Sequence, residues 1–376
     1  MESSRSDIGL LSKEQIELAS RRLQAKDRKA RLGFIGAGWW ATTNHIPLLQ
    51  ARRDVELVSV CGLDESLNKR IQEDFGFAHS TTDYRELLQQ RLDGVVVSSP
   101  HSLHAEHTRA ALQAGCHVMV EKPMATRARD ASDLVKLSVE KGLQLLIPYG
   151  WNFRPLTLAA KRLMGLGKIG QIEHVMCHMG SPAKSLFLGK SFEHGDGSYV
   201  LPNLSTWTDP RLSEGGYGQG QLSHALGLLF WLTNLEPQYV FARMSHIGGP
   251  VDMYDSIVVS FEERAIGSLS GAATVPSGSC FQLDLRIFGS DGMLLFDVER
   301  ERLEVHTHAG EHEIHPVAPG DGAYRCDEPP HQFVELILGL TQENNAPGSV
   351  GLKAVKVLDA AYRSAQSGRE ESIEHR

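Results

Sequence analysis

Leu32-Gly33-Phe34-Ile35-Gly36-Ala37-Gly38-Trp39-Trp40-Ala41 is the stretch on which the fold turns. Leu32–Ile35 reads as a short buried strand, and the glycines end it abruptly. The spacing is G-x-G-x-x-A. Gly36 permits a tight turn, Gly38 lets backbone approach a pyrophosphate, and Ala41 is small enough for helix and strand to pack closely. A phosphate held there would rest on the N-terminus of the following helix, where unpaired N–H groups favour an anion. Ala37, Trp39 and Trp40 share the turn and are expected contacts. The turn's place between a first strand and a helix favours this reading over a bare structural turn, which stays the alternative.

Working outward, strand and helix alternate as far as residue 149. Val55–Cys61 is a strand, followed by a helix from about Asp64 to Phe75 and another from near Asp83. Gly94–Ser98 is a buried strand, and a helix over 102–114 ends at Gly115, a good C-terminal glycine. Val118-Met119-Val120 then runs straight into Glu121-Lys122-Pro123, a helix spans Arg127 to Lys141, and Leu143–Ile147 closes the series. Short apolar strands interleaved with helices imply a parallel, doubly wound sheet. Such sheets bind ligands outside the carboxyl ends of their strands. Lys122 then stands at the mouth of the crevice, where an amine of lowered pKa can exchange a proton with an alcohol or carbonyl oxygen. Taken alone, Glu121-Lys122 is equally a solvated ion pair. Ser98, Ser99 and Pro100 end another strand and leave room for a ribose and nicotinamide. His104 falls in the next helix, where packing is as good a role as a cofactor contact. Asp64 is the nearest carboxylate for a ribose (64 − 38 = 26 residues past Gly38), and it is also a good N-cap. No arginine follows at once to hold a 2′-phosphate, which favours NAD and leaves NADP possible.

After Tyr149 the pattern changes. Helix 155–165 leads to Ile172–His178, which alternates like a half-exposed strand. Residues 180–220 are rich in Gly, Ser and Pro, and a helix covers His224–Leu232. Alternating strands at 238–244, 255–261, 265–272, 281–288, 293–297 and 302–306 suit a large antiparallel sheet, with helices at about 330–340 and 350–367. The expected organisation is an amphipathic helical extension over 1–30 (its helix at 11–29), a Rossmann domain over 31–150 and an α+β domain over 151–376. The last helices are free to pack back on the first domain. With 376 residues, 41% hydrophobic and 22% charged, the chain has ample core for this. A net charge of −8 without a basic patch argues against nucleic acid. No apolar run approaches the roughly 20 residues of a membrane span. Five cysteines without a CxxC pair, and an N-terminus without a signal-like core, point to a cytoplasmic protein.

In the second domain the informative run is Glu214-Gly215-Gly216-Tyr217-Gly218-Gln219-Gly220-Gln221-Leu222-Ser223-His224. Its glycines allow backbone to come close to a ligand. His224 opens an otherwise apolar helix, as a structural histidine or as a general acid/base. Trp151, Trp207 and Tyr217 lie near these motifs and could stack on a sugar ring, although core packing fits each of them too. Gln221 is counted with the substrate contacts. His306, His308, His312 and His315 read as an alternating hairpin. No Cys or Asp set accompanies them, so no metal site is expected.

These residues, in this order, resemble the Gfo/Idh/MocA family of NAD(P)-dependent sugar and polyol oxidoreductases. The resemblance covers about residues 31–372. It is carried by Gly36–Ala41, Ser99-Pro100, Glu121-Lys122-Pro123, Gly150-Trp151-Asn152-Phe153-Arg154-Pro155, Asp209-Pro210, the glycine run into His224, and Ala361-Tyr362-Arg363. It implies an N-terminal Rossmann domain and a C-terminal open-faced sheet domain that commonly builds dimers or tetramers. It implies that Lys122 and His224 take part in proton transfer, that Glu121 orients the nicotinamide side, and that Asn152 and Arg154 contact cofactor or substrate. Two positions depart from the family pattern. Gly220 stands where many members carry the Asp of D-x-x-x-H, and Gly62 stands where the ribose-binding acid is usual. The implied activity is hydride transfer between a nicotinamide and a ring hydroxyl or ketone of a sugar, glycoside or cyclitol. The alternatives are a redox glycosidase that recycles a bound NAD, and a non-catalytic dinucleotide sensor.

Overall fold

The computed structural model describes residues 28–190, 198–276 and 278–373. The helix expected over 11–29, and nearly all of the 1–30 extension, lies outside them. Six parallel strands form the first sheet: β1 (Ala30–Ile35), β2 (Val55–Cys61), β3 (His79–Thr81), β4 (Gly94–Val97), β5 (His117–Val120) and β6 (Leu145–Leu146), in the order β3-β2-β1-β4-β5-β6. The strand order reverses between β1 and β4, and the crevice opens at that point. β4 is buried at every residue, as a strand covered on both faces must be. β3 is missing from the sequence reading. It has three polar residues at the sheet edge and no apolar signature to find. β6 is shorter than the expected Leu143–Ile147.

The second sheet has nine strands: β7 (Ile172–Gly180), β8 (Pro237–Ser245), β9 (Tyr254–Phe261), β10 (Ile266–Ala272), β11 (Gln282–Gly289), β12 (Gly292–Asp297), β13 (Arg302–Thr307), β14 (His312–Ile314) and β15 (Glu371–Ser372). Their order is β14-β13-β12-β11-β7-β10-β9-β8-β15, antiparallel except for the central β7–β10 pair. Inward residues such as Val175, Cys177 and Met179 share one core with Leu226, Leu229, Val357 and Leu358 of the helices Ser223–Thr233 and Gly348–Ser367. The other face is open. Helix Ser223–Thr233 is buried at every residue but Trp231 and Thr233, so it runs through the interior.

The C-terminal helices return to the first sheet. Phe333, Val334 and Ile337 of helix Glu328–Ile337 join the core that holds Leu32, Phe34 and Val96. In the last helix, the Asp359 carboxylate accepts from the Ala128 N–H (2.9 Å) and so serves the start of helix Ala128–Glu140. The domains are thus braced together around the crevice. Among the described residues no helix is long and apolar enough to cross a membrane.

Candidate active site

The site starts at the ends of β1, β4 and β5. Gly36 has φ +94°, and a Cβ there would lie 2.4 Å from the Ser99 nitrogen, so only glycine fits. Gly38 has open space above it, as a backbone meant to receive a ligand requires. Ser98 Oγ donates to the Gly36 carbonyl (2.6 Å) and locks the β1 and β4 turns together. The helix that follows widens to a π turn at Ala41–His45 just before Pro47, which has no N–H to give the preceding turn. These features fit a dinucleotide cradle on this chain's own geometry.

Gly62 has a local reason. An added Cβ would sit 2.5 Å from Asn68 Oδ1, and Asn68 Nδ2 donates to the Gly62 and Thr81 carbonyls (2.8 and 2.9 Å). Asn68 fills the space that an acid at residue 62 would need. Asp64 caps helix Glu65–Phe75, and Ser66 N, Leu67 N and Ser66 Oγ all donate to its Oδ1.

At the end of β5, Glu121 Oε1 accepts from Trp40 Nε1 (2.9 Å) and pairs with His45 Nε2 (2.7 Å). Burial alone would raise the Glu121 pKa, but the His45 bond and the neighbouring Lys122 charge hold it at about 2. The next peptide bond, Lys122-Pro123, is cis. Lys122 is 8% exposed, and its Nζ crosses the crevice to donate to the Gly220 carbonyl (2.7 Å). Trp207 lies over the ammonium with its ring centroid 5.9 Å away. Burial pulls the lysine pKa below its usual range, and the Glu121 charge pulls it back.

His224 is 6% exposed and walled by Tyr149, Trp151 and Tyr324, whose ring centroids lie 6.3, 5.8 and 5.3 Å away. Its Nδ1 is buried with no hydrogen-bond partner. Burial, then the Lys122 charge, keep its pKa well below 6.5, with Glu121 opposing. Burial and the Lys122 charge thus favour the neutral imidazole. An Asp at residue 220 would have little room. A Cβ there would meet Trp207 at 3.2 Å and Phe187 at 3.3 Å, and the Gly220 carbonyl takes the lysine contact instead.

Several expected contacts have other tasks. His104 is almost fully buried, with Nδ1 2.7 Å from the Pro123 carbonyl and Nε2 2.7 Å from the Ser99 carbonyl. Both ring nitrogens are taken up joining the two strand-end loops, so His104 positions Ser99 and Pro123. Burial lowers its pKa, while the two carbonyls raise it. Arg154, expected at the cofactor, pairs with Glu328 and donates to the Gly320 carbonyl (2.9 Å). Asn152 is fully buried and its Nδ2 donates to the Asn345 carbonyl (3.0 Å). Tyr217 is fully buried with its hydroxyl donating to the Met179 carbonyl (3.1 Å), so it belongs to the core and cannot stack on a sugar. Trp151 donates to the Gly322 carbonyl (3.2 Å) and is a buried wall behind His224. Trp207 and Gln221 keep partial exposure beside Lys122 and the glycine run.

Other site groups carry no local sequence signal. His45 has no motif of its own, yet it holds Glu121. His101 lies against Trp207 (6.0 Å) and His104 (5.6 Å), and burial, His104 and Lys122 push its pKa to about 3. Asp252 anchors the glycine run. It accepts from the Gly216 and Gly218 N–H groups (2.7 and 2.9 Å) and from the Tyr362 hydroxyl (3.0 Å). A search for charge near the motif in sequence would pass over it, since it lies 34 residues beyond Gly218.

A parallel sheet with a glycine cradle, and a buried lysine reaching across to a second sheet domain, define a dinucleotide-binding protein of the oxidoreductase type. Residues 30–149 match the oxidoreductase family with an NAD-binding Rossmann fold, and residues 157–295 match the GFO/IDH/MocA C-terminal domain. The chain belongs to the Gfo/Idh/MocA family. It is 26% identical over 257 residues to an uncharacterized oxidoreductase of Synechocystis, covering 67% of this chain and 65% of that one. It is 32% identical over 170 residues to the D-glucoside 3-dehydrogenase of Escherichia coli, covering 44% of this chain and 48% of that one. The matches thus span between about half and two thirds of these curated relatives. The crystal structure of an oxidoreductase domain protein from Kribbella flavida superposes with a TM-score of 0.75 at 20% identity, covering 93% of this chain and 100% of that one. At that identity the likeness concerns the fold.

Proposed function

We propose that this chain is a nicotinamide-dependent dehydrogenase that interconverts a ring hydroxyl and a ketone of a sugar, glycoside or cyclitol. Lys122 and His224 would move the hydroxyl proton. The observation that carries this is Lys122: a buried amine of lowered pKa, placed at the end of β5 and held across the crevice by the Gly220 carbonyl. When bound, the nicotinamide supplies the acceptor or donor of the hydride. Lys122 would exchange its bond to Gly220 for one to the substrate oxygen and take or return the proton there. His224, neutral and with an unpartnered Nδ1, would be the second proton station. Glu121, fixed by Trp40 and His45, would keep Lys122 charged in the resting site and orient the nicotinamide side. Trp207, over the lysine, would lie along the apolar face of a sugar ring. The sugar class is supported by the family and by the name of the E. coli relative.

NAD is favoured over NADP by Asp64 at the end of β2, whose charge would repel a 2′-phosphate. The five cysteines, all free thiols, accord with a reducing cytoplasm. A second copy would cover the open face of the second sheet, which exposes Tyr239, Phe241, Val258, Ile266, Phe288 and Ile314. Light scattering that returns a monomer at all concentrations would remove that partner.

The test is an NADH absorbance screen of the purified chain against sugars, cyclitols and glycosides, with cofactor content read by native mass spectrometry. Absorbance growth with one ring class is the expected result. Aglycone release with no NADH build-up would instead mark recycled cofactor. Cofactor binding without turnover of any ring substrate would leave a sensor.

A further inference from the structure

The hairpin β13–β14 brings together three side chains outside the crevice. Sequence reading finds four histidines there and no Cys or Asp beside them. Strand pairing supplies a glutamate instead. His306 on β13 stands directly opposite His312 on β14, and Glu304 is two residues before His306 on the same face. The His306 and His312 rings stack with centroids 4.0 Å apart and planes 19° from parallel. Both rings direct Nε2 to one atom: Glu304 Oε2 is 2.9 Å from His306 Nε2 and 3.2 Å from His312 Nε2. His308 and His315 are not part of this set.

We propose that Glu304, His306 and His312 form a binding site for a divalent transition-metal ion of the zinc type. Two imidazoles and one carboxylate are a donor set for zinc, copper or nickel, whereas calcium and magnesium take oxygen ligands. All three ligand atoms lie within 4.8 Å of one another. A tetrahedral ion with bonds of about 2.1 Å spaces its ligands by about 3.4 Å, and the two Glu304–histidine spacings of 2.9 and 3.2 Å are already within about half an ångström of that. Glu304 is preorganised for this. It is 3% exposed although it lies on the open face, because Leu295 and Ile314 flank it in register on either side. Arg302 holds its other oxygen, Oε1, which leaves Oε2 as the single donor. The two histidines are about half exposed, so an ion has an entry path and a fourth position open to water. The Arg302 charge opposes the ion. Its side chain is half exposed, so water screens that repulsion.

Equilibrium dialysis of the full chain against Zn2+ at neutral pH tests this. The expected result is one ion per chain, with affinity lowered at least about tenfold in both His306→Ala and His312→Ala. Both changes are at exposed side chains and should leave the fold intact by circular dichroism. Zinc should also raise the melting temperature of the wild type and leave that of His312→Ala unmoved. Co2+ should give the visible absorption of a tetrahedral site in the wild type alone. No zinc uptake by the wild type, or equal uptake by wild type and His312→Ala, would overturn the site.

Discussion

The two halves of the crevice are built by different means. On the Rossmann side, backbone does the work: the Gly36 turn, the open space at Gly38 and the Ser98 bond to the Gly36 carbonyl form a cradle within short strand–turn–helix units. On the sheet-domain side, side chains do it, and their partners are remote. Asp252 holds Gly216 and Gly218, Arg154 meets Glu328, and Tyr217 meets Met179. The contrast teaches that a local motif reports a backbone-built site reliably. A side chain in a motif-like run can be turned to the core instead.

The largest effect expected on the backbone-built half is Gly36→Ala. Its Cβ would strike the Ser98–Ser99 backbone at a positive φ, so stability should fall by about 3 kcal/mol and NADH binding should vanish. Denaturant unfolding and a fluorescence titration check this, and normal NADH affinity would break the contrast at its firmest point. Next comes Arg154→Ala. It strands Glu328, which is partly solvated, so the loss should be about 2 kcal/mol, with NADH affinity unchanged. Weakened NADH binding at unchanged stability would return Arg154 to the cofactor.

A pH effect should cross both halves. His101 and His224 both have lowered pKa values in the folded chain. The unfolded chain therefore takes up protons that the folded chain refuses, so stability is full above about pH 6.5 and falls as pH drops below it. Each group contributes at most about 1.4 kcal/mol per pH unit. The melting temperature of His224→Asn should decline less steeply from pH 7 to pH 5 than that of the wild type, and equal slopes would contradict the buried neutral state. The smallest effect is Tyr217→Phe. Loss of the bond to Met179 should cost about 1 kcal/mol and leave KM for the substrate unchanged. A raised KM would place Tyr217 at the ligand after all.

Much of the fold is legible because its signals are periodic and local. The continuous apolar runs of β1, β4 and β5, and the alternation of β8 to β13, announce a parallel sheet followed by a mainly antiparallel one. β3 escapes because three polar residues at a sheet edge carry no pattern. Within the site, Gly36 and Lys122 are legible because a strand end fixes where they stand. Tyr217, Trp151, Asn152 and Arg154 are not, because each sits close to the crevice in sequence and its side chain finds a partner more than 30 residues away. His45 and Asp252 act only through contacts that the fold creates. Gly62 and Gly220 look like losses against the family pattern. The structure relates them to Asn68, and to Trp207 with Phe187, which occupy the space an acid would take.

Lys122→Ala tests the proposed chemistry most directly, with turnover and NADH affinity measured on the same preparation. Glu121 keeps its bonds to Trp40 and His45 in that variant, so the fold and the cofactor cradle should persist. The expected result is a fall in turnover of about 10²- to 10⁴-fold with NADH affinity within a few-fold of wild type. Turnover near the wild-type rate, with cofactor still bound, would contradict the role of Lys122 in moving the substrate proton.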